Sequence, residues 1–227
     1  MNPRRIWKSL LAIASLIAPL VGASSLQFVH AAPAGEDIVI VAFGDSLTAG
    51  YELPPGAAFP EQLEKALRAK GHKVRVINAG VSGDTAADGL ARLDWAMPEE
   101  ADAVILELGA NDALRGIPLA ETEKALGGIL ARLKQRRLEV LLAGMEAPRN
   151  WGETYVVQFR QMYRSLADEY GAKLYPFFLD GVALDASLSL NDGMHPNAEG
   201  IARVVERILP DVETLIERVK AKPDKES

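Results

Sequence analysis

Ser46 stands in Gly44-Asp45-Ser46-Leu47, where an apolar run stops abruptly at a glycine. A serine hydroxyl at its free pKa is a weak nucleophile; it needs a base within hydrogen-bond reach, and that base needs an orienting partner. The chain has three histidines, His30, His72 and His195. His30 lies in an N-terminal leader-like stretch, and His72 follows a helix-ending glycine, as suits a surface residue near a helix C-terminus. His195 is therefore the sensible base. Asp192 precedes it by three positions, and on a tight turn or a first helical turn residues i and i+3 can share a face. A carboxylate so placed can hold one imidazole nitrogen while the other addresses Ser46. The same residues have a plainer use. Asp and Ser are favoured helix N-caps, so Ser46 suits the start of a following helix, and Asp192 would equally cap the last helix with His195 in its first turn.

Attack on a carbonyl carbon creates an oxyanion, which preorganised donors must meet. The backbone N–H groups of Ser46 and Gly83 and the side-chain amide of Asn111 are suitable. Glycine at 83 allows close backbone approach, while Asn111 would also serve as a turn residue tolerant of a left-handed conformation.

These residues must be carried to one place by the elements between them. Ile38 to Phe43 is short, continuous and apolar, the pattern of a strand buried on both faces of a parallel sheet. Val74–Asn78, Ala103–Leu108, Val140–Met145 and Lys173–Pro176 repeat the pattern more briefly. Between them, helical spacing covers Phe59–Lys70, Thr85 to Trp95, Leu119 to Arg137 and Tyr155 to Tyr170, and a last helix runs from Ala198 to Lys220. Strands alternating with helices predict a three-layer α/β/α sandwich on a parallel sheet. The first three strands each end in a glycine-bearing loop with a short polar residue, and in such a sheet these ends face the same way, where ligands collect. The loop Asn191–Asn197 is the fourth contributor. We see neither an internal repeat nor an interdomain linker.

Composition narrows the function classes. A formal net charge of −6 argues against nucleic acid as a partner. The chain has no cysteine, which removes thiol nucleophiles, disulfides, Cys-ligated zinc and a lipidated N-terminal cysteine. Three histidines do not provide for a metal site built on several imidazoles. Residues 1–31 have the layout of a secretory signal peptide: basic Arg4, Arg5 and Lys8, an apolar run from Leu10 to Val21, then small residues with a processing site at Val29-His30-Ala31 or Val21-Gly22-Ala23. That run is shorter than the roughly 20 residues a bilayer span needs. The expectation is an exported protein, periplasmic or secreted, without a stable membrane span in its mature form. Residues 32–37 then form a tether, 38–220 one domain and 221–227 a charged, disordered tail.

The four blocks Gly44-Asp45-Ser46-Leu47, Ser82-Gly83-Asp84-Thr85, Gly109-Ala110-Asn111-Asp112 and Asp192-Gly193-Met194-His195 appear in the order found in the SGNH (GDSL) hydrolase family. The chain resembles that family from about Ile38 to Leu209, and its second and third blocks look especially like the bacterial branch of multifunctional arylesterases, acyl-CoA thioesterases and lysophospholipases. The resemblance implies a flavodoxin-like five-stranded sheet, a Ser46-His195-Asp192 triad, an oxyanion hole from Ser46, Gly83 and Asn111, no cofactor, and an open groove. The expected activity is hydrolysis of a small acyl ester or thioester through an acyl-serine. The alternatives are a carbohydrate O-acetylesterase using the same triad and a non-catalytic flavodoxin-shaped binding module. The latter is disfavoured because no G-x-G-x-x-G follows the first strand. The stretches Ala113–Pro118 and Met145–Trp151 follow strands at the active edge. Their Leu114, Ile117, Ala147 and Pro148 either line an acyl site or simply pack their loops. Nothing in the sequence requires more than a monomer.

Overall fold

A computed structural model describes residues 37–222. The expected signal peptide, most of the tether and residues 223–227 lie outside the described residues. Five parallel strands form one sheet in the order β2-β1-β3-β4-β5, with β1 Ile38–Gly44, β2 Val74–Gly80, β3 Ala103–Glu107, β4 Glu139–Ala143 and β5 Lys173–Tyr175. The central β1 is apolar and buried from Val39 to Phe43, as its unbroken run requires. Helices α1 Ser46–Ala49, α2 Phe59–Ala69, α3 Ala86–Ala96, α4 Ala110–Arg115, α5 Leu119–Gln135, α6 Glu153–Tyr170 and α7 Ala198–Lys220 complete the fold. Helix α2 packs on α7, while α3, α5 and α6 pack side by side, giving the three-layer sandwich expected.

The chain leaves β1 for β2 on one side and returns for β3 on the other, so the winding direction reverses between β1 and β3. In open α/β sheets the crevice at such a switch point is where ligands bind. Register sharpens this placement: Gly44 lies opposite Gly80 on one neighbour and opposite Glu107 on the other. Three strands thus end on one line, and their loops start level.

Two short helices depart from the sequence expectation. The segment after β1 is a single helical turn, with Asp45 and not Ser46 as its N-cap; the Asp45 carboxylate accepts from the Leu47 N–H at 2.9 Å. The segment Ala110–Arg115, expected as loop, is α4, closed by Gly116 in the left-handed region. Both are too short to show a hydrophobic period. At the other end Lys222, assigned to the tail, reaches back to the Glu139 carboxylate at 2.7 Å. His72 pairs with Glu213 of α7 at 3.0 Å, a surface contact like the one expected of it.

The histidine loop is fastened by its own polar residues. Asn197 caps α7, accepting from the N–H groups of Glu199 and Gly200 at 3.0 and 2.9 Å, and its amide donates to the Ser187 carbonyl at 2.8 Å. Asp192 therefore does not cap this helix. Replacing an Asn N-cap by Ala costs about 0.5–2 kcal/mol. Asn197→Ala is expected to lower unfolding stability by that amount in a urea titration, with the m-value unchanged; a loss below 0.3 kcal/mol, roughly the scatter of such measurements, would show the cap to be idle.

Candidate active site

Ser46 is the first residue of α1, at the C-terminal end of the central strand. Its Oγ lies 2.9 Å from Nε2 of His195, 149 positions away in sequence. Nδ1 of the same ring lies 2.5 Å from Oδ2 of Asp192. The other carboxylate oxygen, Oδ1, accepts from the backbone N–H groups of Met194 and His195 at 2.9 and 3.0 Å. Asp192 thus folds its loop and orients the ring with one carboxylate. These bonds, the two backbone ones first, hold its carboxyl down at about 2. Tyr51, just beyond α1, lays its ring against that of His195 with centroids 4.6 Å apart.

The loops that carry the three candidate oxyanion donors meet at Asn111, whose amide reaches the residues next to Ser46 and Gly83. Gly83 sits at φ +87°, a conformation that glycine adopts without strain. Among the described residues, no protein acceptor takes the Ser46 or the Gly83 N–H. Asn111 differs: its Nδ2 lies 3.0 Å from Oδ2 of Asp45 and 3.0 Å from the Asp84 carbonyl, so both amide hydrogens are engaged. Helix α4 is latched to the Gly83 loop at two further points. Arg115 donates to the Gly83 carbonyl at 2.7 Å, and Asp112 accepts from the Ala86 N–H at 2.9 Å. Buried Arg92 joins the first two loops by pairing with Asp84 at 2.5 Å and donating to the Gly44 carbonyl at 2.9 Å.

Beneath the serine lie two carboxyl groups that the motif reading does not isolate. Asp45 is 1% exposed and Glu107 fully buried. Burial raises both pKa values. For Glu107 the neighbouring Asp45 adds to the rise; for Asp45, hydrogen bonds from Leu47, Asn111 and Glu107 and the charge of His195 oppose it. A lone acidic residue inside the apolar run Ala103–Leu108 was the available signal for Glu107. Arg92 and Tyr51 carried none, since Arg on a helix and Tyr in a loop are ordinary.

Of the residues expected near an acyl chain, Leu114 is 54% exposed on α4, Ile117 and Pro148 are half-buried, and Ala147 is buried in the core. Val81, Trp151 and Met194 are also exposed apolar side chains on the loops at this edge.

The family model of the GDSL-like lipase/acylhydrolases matches residues 42–203. The chain belongs to this family. Esterase TesA of Pseudomonas aeruginosa is 34% identical over 198 residues, covering 87% of this chain and 98% of TesA. Thioesterase 1/protease 1/lysophospholipase L1 of Escherichia coli K12 is 36% identical over 186 residues, covering 82% of this chain and 87% of the relative. Among solved structures, AlinE4, an SGNH-hydrolase family esterase, is 46% identical with a TM-score of 0.68, covering 79% of this chain and 97% of AlinE4. As a GDSL-like acylhydrolase, the chain is an enzyme that hydrolyses esters. No helix among the described residues is long and apolar enough to cross a membrane.

The sign of the Asp192 shift has a measurable consequence. A carboxylate whose pKa is lower folded than unfolded contributes stability above the unfolded value, and this is lost as pH falls through the folded one. With the folded value at about 2, Asp192 is expected to stay ionised throughout the acid limb of activity. Its side-chain carboxyl carbon, followed by NMR, should show no titration step down to about pH 3; a step near pH 4 would contradict the geometry described.

Proposed function

We propose that this chain cleaves carboxylic esters and thioesters through an acyl-serine intermediate formed on Ser46. One observation carries this reading: the unbroken hydrogen-bonded line from Ser46 Oγ through both nitrogens of His195 to Asp192, at 2.9 and 2.5 Å. His195 takes the hydroxyl proton as Ser46 attacks the acyl carbon, and Asp192 stabilises the imidazolium that forms. The imidazolium then protonates the departing alkoxide or thiolate. Water activated by the same ring hydrolyses the acyl-serine, releasing the acid and restoring the enzyme.

The Ser46 and Gly83 N–H groups serve the oxyanion, joined by the Asn111 amide. Because both Asn111 hydrogens are engaged at rest, the oxyanion takes over the one now given to the Asp84 carbonyl. A charged acceptor outcompetes a neutral one, while the bond to Asp45 keeps the amide in place. For the substrate, the exposed Tyr51, Val81, Leu114, Trp151 and Met194 on the loops at this edge favour an acyl group of some length over an acetyl group. The names of the relatives, spanning arylesterase, thioesterase and lysophospholipase, support hydrolysis of both esters and thioesters. The leader-like pattern of residues 1–31 supports action outside the cytoplasm, after that segment has been removed. The triad is complete within one chain, so its chemistry needs no second copy.

Ser46→Ala and His195→Ala are each expected to lower kcat by several orders of magnitude, and Asp192→Asn by about 10³- to 10⁴-fold. Asn111→Ala should cost roughly 100- to 1000-fold; a loss under tenfold would remove it from the oxyanion hole. A phosphonate that labels the wild type but not Ser46→Ala tests the nucleophile directly. A p-nitrophenyl ester series from acetyl to palmitoyl, run beside an acetylated sugar, tests the substrate. Turnover of the acetylated sugar alone would replace this reading with that of an O-acetylesterase.

A further inference from the structure

Glu107 is a buried acid without a cation. No salt bridge among the described residues reaches it, and Oε1 has no hydrogen-bond donor facing it. Oε2 accepts from the Thr48 hydroxyl at 2.8 Å and, at 3.4 Å, from the Asp45 N–H. The charge of the adjoining Asp45 disfavours a second charge on Glu107. Of two acids so placed, the one without a compensating donor keeps its proton. Asp45 is well supplied as the anion, since Oδ1 accepts from the Leu47 N–H and Oδ2 from the Asn111 amide. Glu107 is not, and it lies at full burial, where an uncompensated charge is most costly. The remaining titratable neighbours are committed elsewhere. Tyr163 donates to the Leu108 carbonyl, Arg92 serves Asp84 and Gly44, and Asp112 accepts from Ala86 and Thr122. His195, on the far side of Ser46, is held by Asp192.

The packing is shaped around this acid. A Cβ at position 44 would stand 2.6 Å from Glu107 Oε2 and 2.2 Å from Thr48 Oγ1, so the glycine before Asp45 makes room for the pair.

We propose that Glu107 is a neutral carboxylic acid, and that together with Asp45, whose N–H it accepts, it forms the fixed anchor from which Asn111 reaches the oxyanion. The role rests on the reading of Asn111 as an oxyanion donor. Glu107 touches no substrate; it is a positioning residue, acting through Asp45. A neutral acid at 107 lets Asp45 keep its charge and its orientation, so that Asn111 can release the Asp84 carbonyl without losing its place.

The test combines spectroscopy with a mutant cycle. Infrared spectra of the wild type at pH 7 should contain the C=O stretch of a protonated carboxyl, absent from Glu107→Gln. Glutamine is neutral and can still accept from Thr48 and the Asp45 N–H, so Glu107→Gln should keep kcat within about threefold on a p-nitrophenyl ester. Glu107→Leu, which can do neither, should lower kcat by about 10- to 100-fold with KM within about threefold. In an Asn111→Ala background the same change should cost less than about threefold more, because the two act as one unit. Absence of the band from the wild type, or its survival in Glu107→Gln, overturns the neutral acid whatever Asn111 does. Should Glu107→Leu not fold by circular dichroism, Glu107→Gln decides: a kcat as low as that of Asn111→Ala overturns the proposal. A loss under tenfold in Asn111→Ala, with the band behaving as stated, overturns the oxyanion reading and with it the anchor role, while the protonated state of Glu107 stands.

Discussion

Everything at this site hangs on the way β1 is paired on both edges. Because β2 and β3 flank it in parallel and end level with Gly44, the nucleophile, the Gly83 loop and the Asn111 helix begin on one line. Backbone pairing of this kind is rigid, and it is buried on both faces by core side chains. The loops then need only short polar ties to hold their relative positions. Arg92 ties the first to the second, and Asn111, Asp112 and Arg115 tie the second to the third. The histidine is the exception. It lies near the far end of the long connection from β5 to α7, and it is held by Asp192, Asn197 and the antiparallel bridge between Ser189 and Pro196.

Three acids within this small region have opposite electrostatic fates, and solvent is the reason. Asp192 lies on the outside, where two backbone N–H groups and an imidazole stabilise its charge. Asp45 and Glu107 lie beneath the serine, where burial disfavours charge and proximity makes a second charge worse still. An ionised carboxylate is thus available where an imidazolium forms, and a protonated one where the framework must stay neutral. Asp45 is the joint between the two settings. It caps the nucleophile's helical turn with one oxygen and steadies the Asn111 amide with the other.

Much of this was legible in the sequence because the elements that matter are periodic or glycine-terminated. The buried run of β1 and the stops at Gly44, Gly80 and Gly109 are local signals, and parallel strands then forced the loops together. The contact of Ser46 with His195 followed from chemistry: with three histidines in the chain, two of them poorly placed, few assignments remained. What stayed hidden was whatever depends on three-dimensional burial. Glu107 reads as one acid in an apolar strand, and only the sheet shows that no cation meets it. The single-turn helices α1 and α4 are too brief for periodicity, so their caps at Asp45 and Gly109 emerged from geometry. Asn111 was read as a donor, but the engagement of both its hydrogens depends on two residues distant in the chain.

The long separation between serine and histidine bears on when this polypeptide becomes dangerous to its surroundings. Synthesis delivers the nucleophile early and the proton acceptor only after all five strands have been made. Until residue 195 has been made, a growing chain carries the serine without its base. Competence arrives with the docking of α7, whose Ile201, Val204 and Ile208 are buried in the core. The same dependence works in reverse: undocking of that last helix would carry the imidazole away and silence the serine.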